Sequence, residues 1–117
     1  MKIYILEVQS KSREQMLQWL SEYKRVEAVE VFEDYIVFIE QVGKSPPELC
    51  IIRLGCNGIP GLKAAEMVQQ ISPNIRIVFI SDDKGYAVDA YEVGAYGYIL
   101  CPVNKKKINK ALFDMAV

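Results

Sequence analysis

Histidine is absent from all 117 residues. That removes Ser-His and Cys-His catalytic pairs, the HExxH zinc motif and any phosphohistidine carrier. Cysteine is sparse, with Cys50, Cys56 and Cys101 in an odd-numbered set that has no CxxC spacing. Neither a secreted disulfide framework nor a Cys/His metal site is expected from it. No apolar run approaches the ~18 residues that span a bilayer, and Glu7 comes too early for a signal peptide. The expected location is the cytoplasm, with no membrane partner. An excess of one charge is also missing, because 14 Lys and Arg against 15 Asp and Glu leave a net charge of −1. The chain as a whole exerts no strong pull on nucleic acid.

What is present is a globular balance of 51% hydrophobic and 25% charged residues, far from the signature of disorder. The length suits a single domain over residues 1–117 with its own core. Lys2 to Val8 predicts a strand, and Ser12-Arg13-Glu14-Gln15, in the Ser-x-x-Gln form of a capping box, predicts the start of a helix. Met16, Leu17, Leu20 and Tyr23 line its apolar face and leave Trp19 partly exposed. Val26 to Phe32 predicts a strand whose Glu27 and Glu30 suit a sheet edge. Tyr35 to Val42 is ambiguous, with strand propensity but near-helical spacing of Ile36, Ile39 and Val42.

Leu49 to Leu54 predicts a strand buried on both faces. After the turn-rich Gly55 to Gly61, a helix lined by Leu62, Ala65, Val68 and Ile71 stops before Pro73. Ile75 to Ile80 predicts another apolar strand, ending in Ser81-Asp82-Asp83. Tyr86 to Val93 predicts a helix with Ala87, Ala90 and Tyr91 on one face and Gly94 as its stop. Tyr98 to Leu100 gives a last strand closed by Cys101-Pro102, and Ile108, Ala111, Leu112 and Met115 line a terminal helix. Five strand-helix units imply a mainly parallel sheet with helices on both sides. Ligands of such sheets bind beyond the carboxyl ends of the strands, which directs attention to Glu7, Val8, Arg53, Ser81, Cys101 and Pro102.

Several stretches resemble a known family over essentially the whole chain. They are Pro47-Glu48-Leu49, Gly58, Gly61-Leu62, Ile77-Val78-Phe79-Ile80-Ser81, Tyr86-Ala87 and Ala90-Tyr91-Glu92-Val93-Gly94-Ala95. The chain resembles the receiver domain of bacterial two-component response regulators, and the last stretch looks like the subgroup that precedes a LytTR-type DNA-binding domain. The resemblance implies a CheY-like (flavodoxin-like) three-layer α/β sandwich, with a parallel sheet in the order 2-1-3-4-5 and five helices. It also implies a second helix over Tyr35 to Lys44 and a cis Cys101-Pro102 bond. By the same resemblance Glu7 and Val8 fall on the acidic pair that holds Mg²⁺, Arg53 on the phosphoacceptor aspartate and Cys101 on the phosphoryl-steadying lysine. Ser81, Pro102 and the aromatic Tyr98 keep the family's types.

A guanidinium cannot be the nucleophile that forms an acyl phosphate. The expectation is therefore a degenerate receiver in a two-component phosphorelay lineage, with Arg53 non-functional as an acceptor and Mg²⁺ binding lost. Arg53 is expected to pair with Glu7, Asp82 or Asp83, or alternatively to serve as the centre of a small-molecule anion sensor. Cys101 and Cys56 as a thiol redox switch is a third reading, while Cys50 is structural. Asp82 and Asp83 suit helix capping better than replacement metal ligands. Lys105, Lys106, Lys107 and Lys110 read as a solvated helix face, with no direct nucleic-acid contact by this domain.

The leading expectation is a non-enzymatic regulatory domain that acts without phosphorylation, its dependence on a sensor histidine kinase left open. It would control a C-terminal DNA-binding output domain or a partner protein. A homodimer is expected through Asp89, Tyr91, Glu92, Tyr96, Tyr98, Lys106 and Lys107.

Overall fold

The computed structural model describes residues 1–55 and 59–112, so Cys56, Gly58 and Met115 lie outside the described residues. The strands are β1 (Lys2–Leu6), β2 (Ala28–Phe32), β3 (Leu49–Arg53), β4 (Arg76–Ser81) and β5 (Gly97–Leu100). The helices are α1 (Ser10–Ser21), α2 (Tyr35–Lys44), α3 (Gly61–Ile71), α4 (Ala87–Glu92) and α5 (Lys105–Leu112). All strand pairs are parallel and the sheet order is β2-β1-β3-β4-β5. This is the expected CheY-like arrangement, with the acid-bearing β2 at an edge.

Alternation along the central strands divides the core. Tyr4, Leu6, Cys50, Ile52, Ile77 and Phe79 face α2, α3 and α4, where Phe38, Val42, Ala65, Val68 and Ala90 meet them. Ile3, Ile5, Leu49, Ile51, Val78 and Ile80 face α1 and α5, meeting Met16, Leu20, Ile108 and Leu112. All five residues of β3 are buried, which explains the apolar run Leu49 to Ile52 that Arg53 ends. Trp19 is half-buried, as expected.

The ambiguous segment is helical because i, i+4 spacing lets Phe38 and Val42 both reach the sheet. Asp34 caps it by accepting from the Val37 N–H at 3.3 Å, and Phe38 meets Phe32 edge-on at 5.6 Å. The Ser12 capping box is not used. The N-cap of helix α1 falls three residues earlier, at Gln9, with no side-chain cap bond, and Leu17 is 39% exposed rather than in the core. Tyr91, expected on one face of α4 with Ala87 and Ala90, is 63% exposed while Ala90 is buried. Only Ala90 of α4 is buried, because the helix has six residues and follows a 3-10 turn over Lys84–Tyr86. Gly94 ends it at φ 82°, a conformation that glycine adopts without penalty. The Cys101–Pro102 bond is cis.

Candidate functional site

Register places the strand-end residues together. Leu6 pairs with Ile52 and Arg53 with Ile80, so the chain leaving β1 at Glu7 lies beside Arg53. The Glu7 carboxylate has no exposure and Arg53 only 3%. Arg53 donates to Glu7 Oε2 from Nε at 2.8 Å and from Nη2 at 2.6 Å. Nη2 also reaches Gln9 Oε1 at 3.3 Å, and Nη1 reaches Asp82 Oδ2 at 3.4 Å and Cys101 Sγ at 3.2 Å. These five bonds equal the number of N–H donors that a guanidinium has, so none is left for an anion. The second Glu7 oxygen accepts from the Gln9 N–H at 3.1 Å.

Electrostatics follow the geometry. Burial by itself lowers the Arg53 pKa, but hydrogen bonding to Glu7 and the charges of Glu7, Cys101 and Asp82 more than offset it, leaving the group above its ordinary value. The Cys101 thiol is pushed up, chiefly by burial, and the opposing charge of Arg53 does not reverse this. Arg53 favours the thiolate, but burial outweighs it, so the pocket does not activate this thiol. Burial also raises Cys50, in keeping with a structural role.

A cleft of about 280 Å³ opens above the pair, lined by Arg53, Asp82, Cys101, Pro102, Gln9 and Lys11 among others. Two predicted pocket residues are elsewhere. The Val8 side chain packs against the α2–α4 core. The Ser81 hydroxyl turns away from Arg53 to donate to the Asp83 carbonyl and accept from the Asp83 N–H, both at 3.0 Å. Asp83 caps the 3-10 turn through the Gly85 N–H, whereas Asp82 faces Arg53, so only one of the two acids is a cap.

The expected output face is only partly assembled. Tyr91, Tyr98 and Lys107 line a groove of about 290 Å³ with Leu100 and Lys110. Tyr96 lies outside the groove and packs on the α1–α5 core, where the Arg76 guanidinium sits 5.0 Å from its ring. Glu92 lines a different depression between α3 and α4. Asp89 and Lys106 are exposed without lining the groove. Lys107 Nζ donates to the carbonyls of Leu100 at 2.7 Å and Pro102 at 3.0 Å, so it is engaged within its own chain.

Sequence reasoning missed Gln9 and Arg13. Arg13 Nη1 donates to the Glu7 and Val8 carbonyls, both at 3.0 Å, while Nη2 pairs with Glu33 at 3.0 Å. It thereby ties α1 to both sides of the strand end. Gln9 was findable as the next polar residue after Glu7. Arg13 gave no signal, since a helical arginine usually faces water.

The model of the response regulator receiver domain matches residues 3–113. This chain belongs to the receiver-domain family. Among relatives, the receiver is 29% identical over 113 residues to the transcriptional regulatory protein BtsR of Escherichia coli K12, covering 95% of this chain and 46% of that protein. It is 25% identical over 112 residues to the transcriptional regulatory protein YpdB of the same strain, covering 96% and 46%. The chain thus spans about half the length of the curated relatives it matches. The receiver superposes on the response regulatory domain of MrkE from Klebsiella pneumoniae with a TM-score of 0.85 and 26% identity, covering 99% and 95% of the two chains. No helix among the described residues is long and apolar enough to cross a membrane.

Proposed function

We propose that this receiver is a non-enzymatic regulatory domain that works without phosphorylation, controlling a LytTR-type DNA-binding output domain through dimerisation or interdomain contacts. The observation that carries the reading is the buried Arg53–Glu7 pair. Arg53 stands where the resemblance puts the phosphoacceptor, and a guanidinium neither attacks phosphorus nor loses its charge. The donor set does not fit Mg²⁺ either. Both Glu7 oxygens are engaged, by Arg53 and by the Gln9 N–H, and a divalent ion at that carboxylate would meet a fixed cation. The output assignment is supported by the names of two relatives, both transcriptional regulatory proteins about twice as long as this chain.

Incubation with acetyl phosphate and Mg²⁺, followed by intact mass measurement, tests the reading. No mass gain is expected. A stoichiometric gain of one phosphoryl group mapping to Glu7, Asp82 or Asp83 would overturn it by showing that another carboxylate has taken over.

A further inference from the structure

Helix α2 carries more apolar surface than the sheet beneath it can cover. Tyr35 to Ile39 is apolar at five successive positions, more than one full turn, so apolar side chains leave the helix in every direction. Phe38 and Val42 are buried, and Tyr35 and Ile39 pack against the same core. Ile36 and Val37 do not, and are 53% and 52% exposed. They begin an outward stripe that continues through Glu40, Gly43 and Lys44, all exposed and related by i, i+3 and i, i+4 spacing.

Two features of this stripe have no use within a single chain. Gly43 lies in the last turn of the helix, where glycine is a poorer helix former than alanine, yet its backbone is not left-handed and nothing lies within 4 Å of the place a Cβ would take. Glu40 and Lys44 have the spacing and order that favour an ion pair along a helix, but among the described residues neither makes an ion pair or a side-chain hydrogen bond. The charges are also ordered, with Glu33, Asp34 and Glu40 toward the start of the helix and Lys44 at its end. A nucleic acid or an acidic partner would meet those acids. A helix that is acidic at its start and basic at its end is instead complementary to an antiparallel copy of itself.

We propose that the outward stripe of α2 is a self-association surface on which a second copy of this chain docks its own α2, antiparallel across a two-fold axis at Glu40. Positions equally far from the axis then face one another, so Val37 fills the space over Gly43 of the second copy, and Lys44 of the second copy needs to reach only about 6 Å along the helix to meet Glu40. Each contact occurs twice. With 10 residues the helix is about 15 Å long, so the interface is smaller than that of a standard stable complex and belongs to the weak, reversible class. It lies beside β1 and β2, away from the β5 edge that carries the Tyr91 groove. The inference goes beyond the proposed function and stands without it, since no step depends on Arg53 or on phosphorylation.

Amide resonances of the whole chain, followed over a dilution series, test the surface with variants at exposed positions that leave the core untouched. Wild type is expected to show concentration-dependent shifts centred on Ile36, Val37, Glu40, Gly43 and Lys44, and Val37→Glu to abolish them. Glu40→Lys and Lys44→Glu should each weaken association about tenfold, because every dimer then holds two like-charge contacts. An equimolar mixture of these two variants should associate as wild type does, since both contacts are again between opposite charges. Gly43→Ala should raise Tm while weakening association, a split that a purely structural glycine would not give. Resonances of α2 that ignore concentration, a mixture no tighter than either variant alone, or Gly43→Ala associating like wild type would each overturn the proposal. So would an α2 that ignores concentration but shifts on addition of oligolysine, which would make a basic partner the occupant in place of a second copy.

Discussion

Nη2 of Arg53 lies 2.6 Å from Oε2 of Glu7, in a pair whose side chains are 3% and 0% exposed. Desolvating both ions opposes much of their attraction, so a buried pair is not by itself a source of stability. Removing one partner is different because it strands the other charge. Arg53→Ala or Glu7→Ala should each cost about 3–5 kcal/mol, which lowers Tm by something on the order of 10–20 °C. The matched apolar exchange Arg53→Met with Glu7→Leu should recover most of that loss. Thermal unfolding of the three variants checks the point, and an unchanged Tm in the single variants would mean that the pair is dissolved in solution.

Much of the fold was legible because β3 and β4 carry the apolar runs Leu49 to Ile52 and Ile77 to Ile80 and their neighbours carry helical spacing, signals that burial on two faces imposes directly. Tyr35 to Val42 was not legible from propensity, since its β-branched and aromatic residues serve a helix once Phe38 and Val42 have a sheet to cover. The site was partly legible. Glu7 and Arg53 follow from strand ends alone, because register in a parallel sheet brings those ends together. The rotation of Ser81 toward Asp83 and the reach of Arg13 depend on loop and rotamer geometry, which no local pattern encodes.

Gly61 offers a second stability test. A Cβ there would lie 2.5 Å from the Arg53 carbonyl and 2.7 Å from a Leu54 methyl, so the glycine lets α3 start directly against the end of β3. Gly61→Ala should cost about 1–3 kcal/mol through overpacking, and it should also displace the backbone that carries Arg53. Equilibrium urea unfolding measures the cost. Wild-type stability with an unaltered m-value would show that α3 shifts freely.

Cys101 has a raised pKa, chiefly through burial, so at neutral pH it holds less thiolate than an ordinary cysteine. Because the thiolate is the nucleophile, alkylation by iodoacetamide should be slower than for a peptide thiol, with its pH profile displaced to higher pH. Arg53 is the neighbour that favours the thiolate, so in a folded Arg53→Gln protein the profile should move further up. A rate at pH 7 exceeding that of the peptide would reverse this assignment and revive a redox role.

The groove of Tyr91, Tyr98, Leu100, Lys107 and Lys110 is the surface on which association is expected, with Tyr91 at 63% exposure as its aromatic anchor. Lys107 is a poor reporter of that contact because its ammonium already holds the Leu100 and Pro102 carbonyls. Lys107→Glu should therefore cost stability, about 1 kcal/mol, whether or not a dimer forms. Lys106 and Lys110 have no such bond among the described contacts and can meet acids such as Asp89 on a second copy, as a two-fold arrangement would allow. Under the proposed phosphorylation-independent function, dimerisation should follow concentration or an attached domain. Sedimentation velocity across a concentration series should show Tyr91→Ala weakening the dimer roughly 30-fold, the effect of a central anchor worth ~2 kcal/mol. Lys106→Glu with Lys110→Glu should weaken it in a salt-dependent way while leaving Tm near wild type. A dimer indifferent to all three substitutions, or one abolished by changes at Trp19, would move the interface away from the β5 edge and, in the second case, onto α1.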